Sequence, residues 1–296
     1  MSDQPQRTEA TLPGGNGQPA KPGLPRRWLL LILVLAFLFV LMPFLFWRAT
    51  WFGRPLSDEE IPRDLADTQH PRKAQHALSQ VADRMLSREP GVAASARRWY
   101  PQVIALAGSP HAALRTTAAW VMGQDNREAP FHAALLRLLQ DTDPMVRRNA
   151  ALALVRFGDD AGREVIRGLL QPYGEPAPAG GVLRQRLKPG DTVNPGTLLA
   201  RVEAGGSRVE MRATVPGTLS RWLVSDGANV ASGTPVAAID PSPEEQWEAL
   251  RALYFIGRAE DLPLVDPLAA GRSDVGDAIR KQAQLTARSI RARFPK

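Results

Sequence analysis

Two stretches of this chain, Gly180–Val202 (GGVLRQRLKPGDTVNPGTLLARV) and Gly217–Ile239 (GTLSRWLVSDGANVASGTPVAAI), are one motif written twice at a spacing of 37 residues. Gly190 answers Gly227, Val193 answers Val230 and Gly196-Thr197 answers Gly233-Thr234; at the ends, Gly180 answers Gly217 and Val202 answers Ile239. A glycine on either side of a lone valine is turn chemistry, because glycine takes positive φ without steric cost. The alternating apolar residues around it are strand chemistry. Two such halves predict a small, flattened β-sandwich within residues 172–242.

The pattern resembles the barrel-sandwich hybrid of biotinyl and lipoyl carrier domains and of the adaptor (membrane-fusion) proteins of bacterial export pumps. In the lipoyl family the hairpin between the halves carries a Glu-Thr-Asp-Lys-Ala motif whose Lys is modified. Here Glu203-Ala204-Gly205-Gly206-Ser207 stands in that motif, so Gly206 replaces the modified Lys, and no Lys lies between Lys188 and Lys281. The resemblance therefore implies the fold without a bound cofactor, a binding or spacer module.

Ahead of the sandwich, Trp28 to Trp47 contains no charged residue, and Leu29 to Phe46 is apolar apart from Pro43. At ~1.5 Å per residue this is enough to cross a ~30 Å hydrocarbon core, and the two Trp sit where interfacial anchors would. A cleaved signal peptide is the competing reading. Its apolar region would be shorter, and Phe46-Trp47-Arg48-Ala49-Thr50-Trp51 offers no small-residue cleavage site. Lys21, Arg26 and Arg27 before the span nearly balance Arg48, Arg54 and Arg63 after it. The tighter placement of the first three, with the build of the export-pump adaptors, puts the N-terminus in the cytoplasm and the body outside the inner membrane. Residues 1–27 read as a disordered tail and 48–70 as a linker. The absence of Cys decides nothing about compartment.

Between Pro71 and Leu170 the period changes. Ala74, Ala77, Leu78, Val81, Ala82 and Met85 recur at three- and four-residue steps, one face of a helix. Leu114–Trp120 matches Val146–Leu152 at an offset of 32, and each is followed by a second apolar helix, Phe131–Leu139 or Ala161–Leu170. Helix pairs recurring at such a period are the signature of an α-solenoid. Asp143-Pro144-Met145-Val146-Arg147, with Ala150-Ala151, Leu154 and Phe157-Gly158-Asp159, resembles the bacterial HEAT-like repeat. Ala249–Gly257 follows Ala150–Gly158 at an offset of 99, after an N-cap signal at Ser242-Pro243-Glu244-Glu245. Glu245-Gln246 stands where the repeat has Val-Arg, and a last copy begins at Ile279-Arg280. The sandwich is thus expected as an insertion into a continuous solenoid that ends in a basic cap helix.

Nothing in the sequence assembles a catalytic site. His70, His76, His111 and His132 have no His, Cys or carboxylate at metal-ligand spacing, and nucleophile triads and a phosphate-binding glycine loop are missing. Glu203, Glu210 and Asp240 read as solvated acids on a β-scaffold. Arg115, Arg147 and Arg280, at one repeat position, read as ties between neighbouring repeats. A carrier enzyme would need the missing Lys, and a bilin lyase, an activity associated with related repeats, finds no pocket signal here. A net charge of +7 would admit nucleic acid, but an external, membrane-tethered body argues against it.

The expected molecule is a multidomain α and β protein. It has a single transmembrane helix over residues 28–47, HEAT-like repeats over 71–171 and 243–296, and the barrel-sandwich hybrid over 172–242 between them. It is expected to be no enzyme, with no cofactor and no metal, but a protein-interaction scaffold or assembly factor for a bacterial envelope complex, with protein partners. A divergent export-pump adaptor is the alternative, weakened because only Glu203–Pro216 joins the two sandwich halves, leaving no place for a long coiled coil.

Overall fold

The computed structural model describes residues 26–49, 54–271 and 276–294, with the backbone alone at 26, 27, 29 and 45–49. It divides into two units, Met1–Arg54 and Pro55–Lys296. In the first, α1 runs over Arg26–Ala49 with Pro43 inside it. Trp28 and Leu30–Phe44 are exposed apart from half-buried Leu41. Among the described residues no helix is long and apolar enough to cross a membrane. The side chain of Trp47, at the far end of the expected span, lies outside the described residues, as does most of the expected tail.

The linker expected over 48–70 contains a helix, α2 (Glu60–Ala66), which buries Ile61 and Leu65. Ser57 and Glu60 start it with reciprocal hydrogen bonds: the Ser57 N–H donates to Glu60 Oε2 at 2.9 Å and the Glu60 N–H to Ser57 Oγ at 3.3 Å. This is a capping box, and with Leu56 also buried it draws the helical body forward to residue 56. Then come α3 (Pro71–Met85), α4 (Pro90–Ser95), a 3-10 turn at Ala96–Trp99, α5 (Tyr100–Leu106), α6 (Ala112–Met122), α7 (Ala129–Leu138), α8 (Pro144–Arg156) and α9 (Arg163–Gly168). On α3 the buried face is Ala74, Ala77, Leu78, Val81 and Ala82, five of the six residues that the period selects; Met85 is half-buried. Asp143 caps α8, its Oδ1 accepting from the N–H groups of Met145 and Val146 at 2.8 and 3.2 Å.

The β-domain has eight strands: β1 (Tyr173–Pro176), β2 (Gly181–Gln185), β3 (Thr192–Val193), β4 (Leu198–Ala204), β5 (Ser207–Arg212), β6 (Gly217–Trp222), β7 (Asn229–Val230) and β8 (Pro235–Asp240). They form two four-stranded sheets, ordered β1-β8-β6-β3 and β5-β4-β2-β7. The halves interlock, because β3 of the first pairs with β6 of the second and β7 of the second with β2 of the first. Leu183, Val193, Leu199, Val202, Met211, Leu219, Val236 and Ile239 fill the space between the sheets.

The internal match needs one correction. Leu183 pairs with Val202 as Leu219 pairs with Ile239, which makes Gly181, not Gly180, the counterpart of Gly217. Both have positive φ, 152° and 151°, and a Cβ would lie 2.3 Å from the Glu203 carbonyl oxygen at Gly181 and 2.1 Å from that of Asp240 at Gly217. Close strand approach therefore demands glycine at this pair. Gly180 lies outside β2 with ordinary space around it.

The helices resume as α10 (Pro243–Ile256), a 3-10 turn at Ala259–Asp261, α11 (Leu262–Ala269) and α12 (Asp277–Arg293). Ser242 and Glu245 form the expected capping box. The first helices of successive pairs make one layer, α3 against α6, α6 against α8, α8 against α10 and α10 against α12. The layer is thus continuous across the inserted sandwich, and one hydrophobic core runs from Leu56 to Ala287. Tyr173 on β1 pairs with Ile239 on β8, so the sandwich leaves and re-enters the solenoid on neighbouring strands.

Candidate interaction surface

Where the sandwich is spliced in, α8 packs less closely on α10 than on α6, and charged side chains add to the apolar core that crosses the seam. Asp261 is fully buried. Its carboxylate accepts from Arg163 Nε at 2.9 Å and from the Arg258 N–H at 2.7 Å, and Arg167 Nε lies 3.1 Å away. The Arg163 guanidinium is held still more firmly charged than usual, first by its hydrogen bond to Asp261. Arg258 reaches back to Asp160. On the other side of the seam Arg148 of α8 pairs with Glu248 and approaches Glu245 at 3.5 Å, both on α10. Burial pushes the Glu245 carboxyl above its ordinary range, outweighing the opposite pull of Arg148.

The looser contact leaves a groove of about 260 Å³ between α6, α8 and α10. Helical spacing on α10 turns Trp247, Arg251 and Phe255 to one face, and Trp120 of α6 with Leu152 and Val155 of α8 adds to the apolar lining. Three of these are large and open to solvent: Trp120 is 42% exposed, Trp247 37% and Phe255 63%. Arg251 lies over the Trp247 ring at 4.6 Å, a cation–π contact. Arg156 donates to Gln124 Oε1 at 2.6 Å and, more weakly, to the Gly123 carbonyl. The apolar periodicity of α10 marks its core face, Ala249, Leu250, Ala252 and Leu253. Trp247 and Phe255 fall off that face, and this was the available signal for the groove.

Gly206 is at the tip of the β4–β5 hairpin with Gly205, at φ values of 84° and 52°, a two-residue turn that favours glycine. Glu203 near that tip pairs with Arg184 at 3.2 Å, Glu210 on β5 with Arg212, and Asp240 is exposed at the end of β8. His132 Nε2 lies 2.7 Å from Asp159 Oδ2 and His70 pairs with Asp67 on the surface; His76 and His111 sit on α3 and just before α6. Among the described residues no three His or carboxylate side chains are grouped to hold a metal.

The recurrent arginines divide. Arg115 reaches the next repeat, with Nε 2.6 Å from Asp141 Oδ2 and its other nitrogens on Asp141 Oδ1 and the Ser109 carbonyl, and it holds the Asp141 carboxyl below the usual range. Arg147 donates to the carbonyls of Asp141 and Thr142 in its own approach loop, and Arg280 pairs with Asp277 one turn away. The expectation of ties between repeats thus meets only Arg115; the other two fold back on their own segments. The sandwich also hides a carboxylate that the sequence did not flag. Glu175 on β1 is buried and accepts from Thr214 N–H at 2.8 Å and Oγ1 at 3.0 Å, and its desolvation raises its pKa.

Comparison with known protein families finds two similarities. A family model described as HEAT repeats matches residues 100–175, and one described as Biotin-requiring enzyme matches residues 173–239. Each spans well under half of the chain, so the likeness is to domains and not to a whole protein. No curated protein matches the chain. The two likenesses together are consistent with a protein-interaction scaffold or adaptor. HEAT repeats generally mediate contacts between proteins.

Proposed function

We propose that this chain is a membrane-anchored interaction scaffold, or assembly factor, for a bacterial envelope complex, and that it docks a partner protein along its first-helix layer. The observation that carries this reading is the groove at the seam. A solenoid that closes across an inserted domain keeps a continuous wall, and that wall presents Trp120, Trp247 and Phe255 to solvent instead of burying them. Clustered exposed aromatics mark interaction sites on soluble surfaces. The charge-free sequence from Trp28 to Trp47 supports α1 as the anchor, and the tight placement of Lys21, Arg26 and Arg27 before it supports a body outside the inner membrane. The alternative, a divergent subunit of an export pump, is disfavoured by the two-residue turn at Gly205-Gly206, which leaves no coiled-coil arm between the halves.

Two measurements test the proposal. The chain should pellet with membranes and resist carbonate extraction; recovery of the intact chain in the soluble fraction removes the anchor. A photo-reactive residue at Trp120 or Phe255 should give one discrete protein adduct in native membranes, and the same residue at Arg137 on α7 should give none. Equal adducts at all three positions would mean that the layer has no docking role.

A further inference from the structure

The charge of the groove is uneven. Its cations are Arg148, Arg156 and Arg251; its lining carboxylate is Glu248, which Arg148 already occupies. Arg156 spends its hydrogen bonds on neutral oxygens of the Gly123–Gln124 turn. Arg251 has no carboxylate partner among the described residues and is held over the Trp247 ring. Two guanidinium groups therefore stand beside exposed aromatic side chains with no carboxylate among the described residues paired to either. The volume, about 260 Å³, is below the ~300–1,000 Å³ of ordinary small-molecule sites, and suits one or two side chains of a docked segment better than a cofactor.

We infer that the groove receives an acidic segment of a partner protein, one of whose aromatic or branched aliphatic side chains seats among Trp120, Trp247 and Phe255 while its carboxylates meet Arg251 and Arg156. The inference rests on the scaffold reading and adds to it the chemistry of the partner. Aromatic and arginine side chains carry most of the energy at protein interfaces, and opposite charge selects which segment fits. An anionic membrane surface fits the site less well, because it is bound by broad basic faces, whereas here the two uncommitted cations flank an aromatic pocket that also bears Glu248.

The test uses the full chain with p-benzoylphenylalanine at Phe255, irradiated in the membranes of cells that make it, and sequencing of the captured segment. The expected segment has net negative charge and at least one aromatic, Leu or Ile residue. Arg251→Glu should lower the adduct yield by about fivefold or more, as reversal of an attractive pair into a repulsive one requires. Arg137→Glu, on α7, should leave the yield unchanged, and unchanged far-UV circular dichroism of Arg251→Glu shows that its loss is not unfolding. A neutral or basic captured segment, or indifference to Arg251→Glu, overturns the inference and leaves the scaffold reading standing. A lipid or nucleic-acid adduct, or no adduct at Phe255 and Trp120 alike, overturns both.

Discussion

Removing the Asp261 carboxylate would test how the solenoid is held together across its inserted domain. Asp261→Ala strands the guanidinium groups of Arg163 and Arg167, whose side chains are only 14% and 26% exposed, and frees the Arg258 N–H. An exposed ion pair is worth ~0–1 kcal/mol, whereas breaking a buried pair from one side costs ~3–5 kcal/mol and a lost capping acceptor ~1 kcal/mol more. Both arginines keep some outlet to water, Arg163 keeps Glu260 at 3.0 Å and Arg167 keeps Glu164 at 2.9 Å, so the lower part of that range applies, about 3 kcal/mol. Urea unfolding followed by far-UV circular dichroism reads it. Asp261→Asn, which keeps an acceptor for the Arg258 N–H, should recover about 1 kcal/mol of the loss. Replacing Asp261, Arg163 and Arg167 together by Leu should fall close to the unaltered protein, because apolar substitution of a whole buried ion cluster is often neutral. A cost below ~1 kcal/mol for Asp261→Ala would refute the view that these charges close the seam.

Gly217→Ala and Gly181→Ala should each cost upwards of ~4 kcal/mol in thermal unfolding, because the new Cβ would meet a backbone oxygen at 2.1 or 2.3 Å; Gly180→Ala, with 3.5 Å of clearance, should cost under ~1 kcal/mol. Intact mass of the purified chain should show no lipoyl or biotinyl increment even with the matching ligase co-expressed, and Gly206→Lys should lose about 1 kcal/mol for placing a side chain at positive φ. Glu175 gives the β-domain a pH dependence of known sign. Its folded pKa is raised, so the folded state binds its proton more tightly than the unfolded one; the resulting stability is complete below the ordinary carboxylate pKa and is lost as pH rises through the folded value. Glu175→Gln should flatten that loss, and an unaltered pH profile of unfolding would show that burial of this carboxyl does not govern it.

Much of the architecture was legible because it rests on local chemistry. The helical period on α3, the Asp143 cap of α8 and the Ser242/Glu245 capping box of α10 all express themselves within one or two turns of chain. The repeated Gly-x-x-Val-x-x-Gly of the sandwich is equally local. The shift from Gly180 to Gly181 was hidden because two adjacent glycines read alike until the pairing of Leu183 with Val202 fixes the register. Ser57 and Glu60 were readable as a capping box, but a helix as short as α2 gives little periodicity to support it. The groove left only one trace in the sequence, the placing of Trp247 and Phe255 off the core face of α10. Its parts come from α6, α8 and α10, with the whole β-domain lying between the last two in sequence, and only the closing of the solenoid brings Trp120 near Phe255.

The pairing of Tyr173 with Ile239 has a consequence for the order in which the chain folds. Contacts between α8 and α10 span about a hundred residues of sequence, yet the strands that carry the chain out and back end side by side, so a folded β-domain makes that long excursion equivalent to a short loop. During synthesis α10 emerges only after the β-domain is complete, and a β-domain already formed would deliver it directly to α8. The late solenoid would then zip up at the rate of a local helix pair, in place of the slower search that contacts of such separation impose on an unstructured chain. A sandwich that fails to form, the direction in which Gly217→Ala pushes it, would accordingly slow the docking of helices α10, α11 and α12 onto α8 even though it removes no contact between them and α8.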